Sequence, residues 1–590
     1  MFKGTLGQAL INTTLPKPYR MSGNFGTQEM KSSLINLAKD NPDRYAEVVP
    51  QIKQLGDEFS TYEGLSVGLD DIEPDYGKRD PILKRARSAI MKTKDISKIN
   101  DILINTQYKI KEVSFKHKGD MALMARSGAK GNINQLMKAI GTPVVIGDAK
   151  GVPTPYLIER GYSEGLSPAE GWIGAVEARA QAVTSRTSVS GPGEMQKVMA
   201  NMMSPLVVSE SDCGTPNGIL MGAKEKEIEG RYLSGSNSYV NSQKRRDVSR
   251  KGGKVKVRSA LTCESHGGIC QKCAGRNSLG KDIDVGVNLG IQSSQAITEP
   301  LTQMSLSARH AVSLVEGEQD KPTGLKAFKQ LVEMPESFFY KASIAEKNGK
   351  VDSIQKAPQG GFDLKIDGAP HYVPPNRGLK VKLGQQIERG DVLSKGIPNP
   401  ADIMKHKGIG AGREYLARSL GDLYKDEGIK ADPKHFEYLA KAQFNYVKAD
   451  EPLGDFLPGE IIPYNEARKA LNDRGKLTSL GASIGKVLTQ PVLQHMPGTP
   501  VSRSMLSDIK DAKINKIEVA DSTPKFTPVA MSATRTPLLN PNWMQRIGYR
   551  YQKNTILGAA ITGEKAEMSG YNPIPGLLTG EVGRREKGKY

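Results

Sequence analysis

Apolar positions recur every three or four residues over several stretches of the chain, which is the spacing of amphipathic helices. Residues 28–39 form one such stretch, and Asn41-Pro42 is expected to end it. The polar residues from Pro74 to Arg79 predict a linker. Beyond them, helical spacing continues between residues 80 and 115 through Ile82, Ala86, Ile90, Ile96, Ile99, Ile102 and Ile104.

An alanine-rich run, Gly174–Thr187, predicts a further helix, in which Arg179 and Arg186 stand among small residues. A solvent-facing helix would carry more Glu and Lys, and a core helix would carry more Leu. The composition suits a helix laid against a ligand or a nucleic acid backbone, although periodicity alone leaves these alternatives open. Ser190-Gly191-Pro192-Gly193 is expected to break this helix before a second one, Glu194–Met203.

The remaining pattern alternates between helices and short strands. Residues 218–262 are rich in Gly and Lys with β-like runs such as Lys254–Val257, residues 338–400 read as strands with turns, and residues 476–520 as short strands. Residues 287–312 and 401–447 return to helical spacing. A chain of 590 residues is too long for one core. We therefore expect a mixed α+β, multi-domain protein.

The formal net charge of +19 indicates a polyanionic partner, with nucleic acid first. Solvated lysines on an ordinary basic protein are the alternative. Local densities of positive charge occur at 244–246, 250–256 and 584–589. No apolar run is long enough to span a membrane, and the N-terminus lacks the features of a signal peptide.

The chain has four cysteines, Cys213, Cys263, Cys270 and Cys273. The last three follow the pattern C-x6-C-x2-C, and none is left over once a four-ligand site is filled. This count and clustering predict one tetrathiolate zinc site in a reducing compartment, with unrelated buried thiols as the alternative. Because four thiolates leave no open position on the ion, such a site is structural rather than catalytic.

Several segments, in order, resemble the largest (β′-type) subunit of bacterial RNA polymerase. Each is weak alone, but the resemblance keeps its order over most of the chain. The segments are TLGQALINTTLP at the N-terminus, GLSVGLDD (64–71), MARSGAKG (124–131), EGL (164–166), RTSVSG (186–191), LVV (206–208) with DCGT (212–215), the cysteine region 255–273, GIQSSQAITEPLTQMSLSARH (290–310), IERGDVLS (387–394) and 423–435.

The resemblance implies roles for particular residues. Lys130 would contact the nucleotide triphosphate in the substrate channel. The alanine-rich run would be the bridge helix, with Arg179 and Arg186 on template phosphates and the small Thr187 and Ser188 where the templating base pair slides past.

Residues 290–310 would be one arm of the trigger loop, a segment that closes over the incoming nucleotide. Gln303, Leu306 and His310 share one helical face there. Leu306 would pack on the base and His310 would lie near the β-phosphate, as a general acid or as a stabiliser of charge. Leu306 and Ser307 stand where bacterial subunits have Met and Arg, so the detailed contacts with the nucleotide are open.

One family motif is missing, because no D-x-D-x-D sequence occurs in the chain. The resemblance therefore implies a split subunit, inactive alone, whose N-terminal half is a separate chain that binds the catalytic magnesium. Split β′ subunits occur in large (jumbo) bacteriophages and in cyanobacteria and plastids. The short interval between His310 and Gly324 favours the phage type, in the host cytoplasm or packaged in the virion.

The expected partners are the N-terminal half of β′, β-type subunits, a specificity factor, template DNA, RNA and nucleoside triphosphates, with no membrane. Two rival hypotheses are a non-catalytic zinc-containing nucleic-acid-binding regulator and a cyanobacterial or plastid β″-type subunit. The expected divisions are a helical and loop region (1–115), a substrate-channel segment (116–160), the bridge-helix region (161–205), a zinc-binding region (206–286), the trigger loop (287–337), a β-rich module (338–400), a helical module (401–475) and a β-rich clamp region (476–590).

Overall fold

The structure is a computed structural model of the 590-residue chain. It describes all residues except 1–3, 24, 65, 149–152, 188, 266–267, 278–279, 308–321, 376, 472–474 and 566–590. The described chain forms two compact units: unit 1 contains residues 4–187 with 306–307, and unit 2 contains residues 189–305 and 322–565. The expected mixed, multi-domain class is confirmed.

Unit 1 is built from helices. In chain order they are α1 (Leu6–Thr14), α2 (Thr27–Asp40), α3 (Pro42–Glu63), α4 (Tyr76–Ile90), α5 (Ile96–Phe115), α6 (Asp120–Ser127), α7 (Ile133–Leu136) and α8 (Pro168–Thr187). The break predicted at Asn41-Pro42 is confirmed. The Asn41 side chain accepts from the backbone N–H of Arg44 at 3.1 Å, so the residue that ends α2 also caps α3.

The apolar spacing between residues 80 and 115 is explained by the core of unit 1. Leu83 on α4 packs with Leu103 and Ile110 on α5, and Met137 and Val144 complete the cluster. Gly141 lies against α5 so closely that an added Cβ would meet Ile110 at 2.8 Å. The glycine is therefore required where the chain passes this helix.

The linker predicted at Pro74–Arg79 is wrong, because α4 begins at Tyr76. Arg79 is only 5% exposed. Its guanidinium forms an ion pair with Glu164, with 3.1 Å between Nη2 and Oε1, and donates to the carbonyl of Gly141 at 3.2 Å. A polar stretch that resembles a linker in sequence can therefore contain a buried residue of an ion pair.

Helix α8 begins with a capping box, in which Ser167 and Glu170 satisfy each other's backbone N–H groups. Glu170 is buried and also accepts from the N–H of Glu159 at 2.7 Å. Burial raises the pKa of the Glu170 carboxyl, but the surrounding backbone donors outweigh it and hold that pKa below its usual value. The cap thereby joins the start of α8 to the strand-like segment before it.

Unit 2 mixes helices with small sheets. Its helices are α9 (Ser190–Met203), α10 (Ser242–Lys251), α11 (Gln271–Ala274), α12 (Leu289–Ser307), α13 (Gly324–Glu333), α14 (Pro400–Asp426), α15 (Pro433–Gln443), α16 (Tyr464–Ala470), α17 (Arg503–Asp511), α18 (Trp543–Ile547) and α19 (Gln552–Thr562). Its largest core joins α9, α12, α13, α14 and α15. Among the described residues, no helix is both long and apolar enough to cross a membrane.

The strands of unit 2 are β1 (Val207–Glu210), β2 (Ile219–Gly222), β3 (Lys254–Val257), β4 (Gly268–Cys270), β5 (Gly349–Lys356), β6 (Phe362–Ile366), β7 (Ala369–Val373), β8 (Gln386–Ile387), β9 (Tyr446–Ala449), β10 (Ile461–Pro463), β11 (Lys476–Ser479), β12 (Val487–Leu488), β13 (Lys516–Ala520) and β14 (Phe526–Pro528). They form sheets in the orders β7-β6-β5-β8, β10-β9-β14 and β11-β13-β12, with a parallel pair β1-β4 and an antiparallel pair β2-β3.

Two expectations about local structure are corrected. The second helix of the predicted pair begins at Ser190 and not at Glu194, so Pro192 and Gly193 lie inside its first turn. Proline is tolerated there because the first turn of a helix has no backbone acceptor for its N–H. The stretch 476–520, expected to be strands, also contains α17, and α18 and α19 follow, so the C-terminal region is mixed rather than β-rich.

A buried ion pair links distant parts of unit 2. Arg231 is 1% exposed, and its Nη1 lies 2.9 Å from Oε2 of Glu437 on α15. Ser259 donates to the same oxygen at 2.6 Å, and Nε of Arg231 donates to the carbonyl of Glu227 at 3.0 Å. Every polar group of the pair is therefore satisfied in a place that water does not reach.

We predict that Glu437→Gln destabilises unit 2 by about 3–5 kcal/mol, because it leaves the Arg231 charge buried without its partner. The double variant Arg231→Leu/Glu437→Leu should lose less than this single one, since it buries no charge. Thermal unfolding of the full chain measures both. Glu466→Gln, which breaks an exposed pair with Lys469, is the control and should change stability by less than about 1 kcal/mol. Equal losses in the buried and exposed variants would contradict the prediction.

Candidate functional site

The four cysteines come together in unit 2 from three places in the chain. Cys213 follows β1, Cys263 follows the turn Ala260–Thr262, and Cys270 ends β4 and caps the short helix α11, which contains Cys273. Parallel pairing of β1 with β4 brings the first segment beside the last. All four Sγ atoms lie within 4.8 Å of one another, and three of the four cysteines are buried.

The spacing of these sulfur atoms fits a tetrahedral metal site. Cys213 Sγ lies 3.9 Å from Cys273 Sγ and 3.8 Å from Cys263 Sγ. Four thiolates at about 2.3 Å from a zinc ion would be separated by about 3.8 Å along the edges of the tetrahedron. A disulfide would need about 2.05 Å, and all four cysteines are free. The cluster can therefore hold a thiophilic ion.

Backbone donors and a buried arginine stabilise negative charge at the cluster. The N–H of Cys270 donates to Cys263 Sγ at 3.4 Å, and the N–H of Cys273 donates to Cys270 Sγ at 3.4 Å. Arg258 is 2% exposed, and its guanidinium lies 3.3 Å from the sulfur atoms of both Cys213 and Cys273. Burial lowers the pKa of Arg258, but the neighbouring thiolates and Asp212 outweigh it, so that its pKa is raised.

A second cation lies behind the cluster. The ammonium group of Lys441 on α15 donates to the carbonyls of Ala260 at 3.1 Å and Cys263 at 2.9 Å. Burial lowers the pKa of Lys441, while the cysteine thiolates oppose that shift. Four thiolates around a divalent ion carry a net charge of −2, and Arg258 with Lys441 can offset it.

Sequence reasoning did not single out Arg258 or Lys441. Arg258 lies within the segment Val255–Cys273 that carried the resemblance, five residues before the first clustered cysteine, and its position there is the signal that could have identified it. Lys441 lies 178 residues after Cys263, and no local pattern connects it to the cysteines. Only packing of α15 against the cysteine loops reveals it.

The predicted residues of unit 1 are exposed. Lys130 lies in the turn after α6, flanked by Gly128 (φ 76°) and Gly131 (φ 73°), and its N–H donates to the carbonyl of Met124 at 3.4 Å. Arg179 and Arg186 are exposed on α8. Both glycines adopt the left-handed conformation that the turn needs, and the turn presents the lysine to solvent.

Helix α8 ends at Thr187, one of the two small residues predicted to lie beside the templating base pair. The hydroxyl of Thr187 donates to the carbonyl of Val183 at 3.0 Å. Ser188 lies outside the described residues. Arg179 and Arg186 are seven residues apart, which places them two turns apart on one face of α8.

The structure describes only some of the residues predicted for the trigger loop. Gln303 is exposed on α12, and its side-chain amide donates to Glu299 at 2.8 Å. Leu306 lies in the same helix, but its side chain, like the whole of His310, lies outside the described residues. The opposite face of α12, with Ile297, is buried.

Two side chains from other helices hold the base of α12. Tyr424 on α14 donates its hydroxyl to the carbonyl of Ile297, three residues before Pro300. His435 on α15 lies with its Nδ1 2.8 Å from the hydroxyl of Ser293. Burial lowers the pKa of His435, which favours the neutral ring in this contact. Sequence reasoning missed both, because their partners lie more than 120 residues away.

Comparison with known proteins identifies a family and several proteins that this chain resembles. The family described as RNA polymerase Rpb1, domain 5, matches residues 165–365, which include all of α8, the four cysteines and α12. No residue of the first 164 falls in that match.

Longer similarities cover most or all of the chain. The DNA-directed RNA polymerase subunit beta' of Moorella thermoacetica is 26% identical over 646 residues, with 100% of this chain and 52% of the relative covered. That of Heliobacterium modesticaldum is 26% identical over 98% of this chain and 51% of the relative, and that of Desulforudis audaxviator is 27% identical over 78% and 44%. The chain therefore spans about half the length of the relatives it matches.

We predict that Arg258→Met weakens metal binding at the cysteine cluster by about 10- to 100-fold, the usual effect of removing a group that supports the ligands. Co²⁺ titration of the metal-free chain measures this through the absorption of thiolate-bound cobalt. Arg250→Met, which removes an arginine that is 77% exposed, should leave the affinity unchanged. An unaltered affinity in Arg258→Met would show that its contacts with sulfur do not support the ion.

Proposed function

We propose that this chain, a relative of the β′-type subunits that corresponds to their C-terminal half, works as the C-terminal part of the largest subunit of a DNA-directed RNA polymerase. The observation that carries the proposal is the similarity along the whole chain, with the ordered motifs inside it. Its activity is template-directed nucleotidyl transfer in a multisubunit complex with β-type subunits, DNA and RNA.

The catalytic aspartates are proposed to lie on a partner chain that corresponds to the N-terminal half of β′. The sequence contains no D-x-D-x-D motif and spans about half the length of its relatives, so the aspartates of the proposed enzyme would come from outside these 590 residues. Magnesium held mainly by that partner would neutralise charge on the attacking and leaving oxygens. The residues of this chain would position the template and the nucleotide and exclude water.

Helix α8 is proposed as the bridge helix, and its two arginines would bind template phosphates. Their seven-residue spacing on one exposed face suits successive contacts with one strand. Thr187, together with Ser188, would leave room for the templating base pair. Lys130, held outward by its glycine turn, would contact the triphosphate as a point charge.

Helix α12 is proposed as the fixed arm of the trigger loop. Its base is held by Tyr424 and His435, while Gln303 faces solvent further along. Leu306 would pack on the base of the nucleotide and His310 would lie near its β-phosphate. Closure of the segment that follows would complete the site around the nucleotide.

The cysteine cluster is proposed to hold one structural zinc ion. Sulfur donors and tetrahedral spacing favour zinc over a hard cation such as magnesium. We also propose that the enzyme is of the split bacteriophage type, working in the host cytoplasm or packaged in the virion. The support is the short interval between His310 and Gly324, because cyanobacterial and plastid chains resembling this one carry a long insertion there.

The proposed zinc site predicts one zinc ion per chain. Elemental analysis of the purified chain should find a ratio of about one, since four thiolates form a single closed site. Cys273→Ser should lower the zinc content and destabilise unit 2, because Cys273 lies in the main core. A zinc-free wild-type chain, or a Cys273→Ser variant with its full zinc content, would refute the assignment.

The second prediction is that the chain alone makes no RNA. Combined with a partner that carries the D-x-D-x-D motif and with β-type subunits, it should extend a primer on a DNA template. Co-purification identifies that partner, and a partner chain with its aspartates replaced by alanine is the control. RNA synthesis by the isolated chain would overturn the split-subunit hypothesis, and binding to nucleic acid without any synthesis in the complex would favour the regulator.

The third prediction separates two roles of His310 in the reconstituted enzyme. If it positions the phosphates, His310→Gln should retain much of the rate of single-nucleotide addition, while His310→Ala loses up to about 10²- to 10⁴-fold. If it is a proton donor, both variants should fall alike and lose a pKa from the pH–rate profile. A loss below about twofold in His310→Ala would mean that the histidine is structural, because it lies well under that range.

A further inference from the structure

Helix α10 carries an unusual density of positive charge. Its ten residues, SQKRRDVSRK, include five cations and the single acid Asp247. None of the roles proposed above uses this helix, which lies between the first cysteine and the other three in sequence. It contains the basic segment 244–246 and the first two residues of the basic segment 250–256.

The helix is held firmly in unit 2. Val248 is buried in a small core with Ile228, Val240 and Val257. The Asn241 side chain caps the helix by accepting from the N–H of Lys244 at 2.8 Å. At the other end, the hydroxyl of Ser249 donates to the carbonyl of Ala223 at 2.6 Å. Its outward face is therefore a fixed surface.

The outward face is cationic. Arg246 and Arg250 are four residues apart, so they lie one turn apart on the side opposite Val248. Both are exposed, as is Lys244. Asp247 lies 3.6 Å from Arg250, in a pair whose side chains are 46% and 77% exposed, so solvent screens this attraction strongly. Arg245 is tied to the fold by an ion pair with Glu229.

The composition of this face selects one class of partner. Protein interfaces are usually centred on apolar and aromatic side chains, and the only apolar residue of α10 is the buried Val248. Single-stranded nucleic acids are bound by aromatic side chains that stack on bases, and α10 has none. Arginines and lysines without either are typical of contacts with the phosphates of a duplex.

We propose that the exposed surface of α10, with Arg246 and Arg250 on its outward face and Lys244 exposed in its first turn, binds the phosphate backbone of duplex DNA without sequence preference. The contact is an addition to the template contacts proposed for α8. It rests on the proposed function only for the presence of DNA. The binding of DNA to α10 is measured without catalysis. A reconstituted enzyme that makes no RNA would therefore contradict the proposed function but not the α10 proposal, which the binding experiment tests separately.

The test compares two variants of the full chain that lose the same charge. One is Lys244→Gln/Arg246→Gln/Arg250→Gln. The other, Lys347→Gln/Lys356→Gln/Lys365→Gln, neutralises three exposed lysines elsewhere in unit 2. Fluorescence anisotropy with a mixed-sequence duplex of about 25 base pairs gives Kd over a range of salt concentrations. Circular dichroism and metal content check that both variants fold.

The α10 variant should bind the duplex about tenfold or more weakly, and the slope of log affinity against log salt should shrink by about 2 to 3, one for each lost phosphate contact. The lysine control should keep the wild-type slope. Parallel titrations use single-stranded DNA and duplex RNA of equal length. An equal loss of duplex binding in the two variants would overturn the proposal. A loss of affinity confined to single-stranded DNA or to RNA would also overturn it. So would unchanged DNA binding together with loss of β-type subunits from a pull-down.

Discussion

Four cysteine sulfur atoms within 4.8 Å of one another, at the core of unit 2, are the constraint on which the rest of this unit depends. Thiolates this close repel each other unless a cation lies between them and further positive charge lies around them. Arg258, directly after β3, and Lys441, on α15, provide that surrounding charge; the former is bonded to sulfur and the latter to backbone carbonyls of the same loops. The centre therefore joins segments that the chain separates widely.

The same helix that supports the cysteine cluster also supports α12. On α15, Glu437 binds Arg231 and Ser259 near the cysteines, and His435 contacts Ser293 at the base of α12. The hydroxyl of Tyr438, also on α15, donates to the carbonyl of Ala274 at 3.1 Å, directly after the last cysteine. Helix α15 therefore contacts both the loops that carry the cysteines and the base of α12.

Local signals predicted the elements that depend on local physics. The helix pattern between residues 80 and 115, the break at Asn41-Pro42 and the strand at Lys254–Val257 follow from periodicity and capping. Prediction failed where a distant partner decides the conformation. Arg79 looked like part of a polar linker because Glu164, its partner, lies 85 residues later. Pro192 looked like a helix breaker because the start of α9 was not evident.

The sequence alone determined which atoms could form the metal centre, since only four sulfur donors of this kind exist and their clustering excludes a disulfide framework. It also determined the order of the motifs that relate the chain to β′-type subunits. Only the tertiary structure decided which cations stabilise the thiolates, which side chains hold α12, and that α10 turns its charges outward. These depend on contacts between residues tens to hundreds of positions apart. Such contacts leave no periodic trace in one sequence, because their geometry exists only after the core has packed.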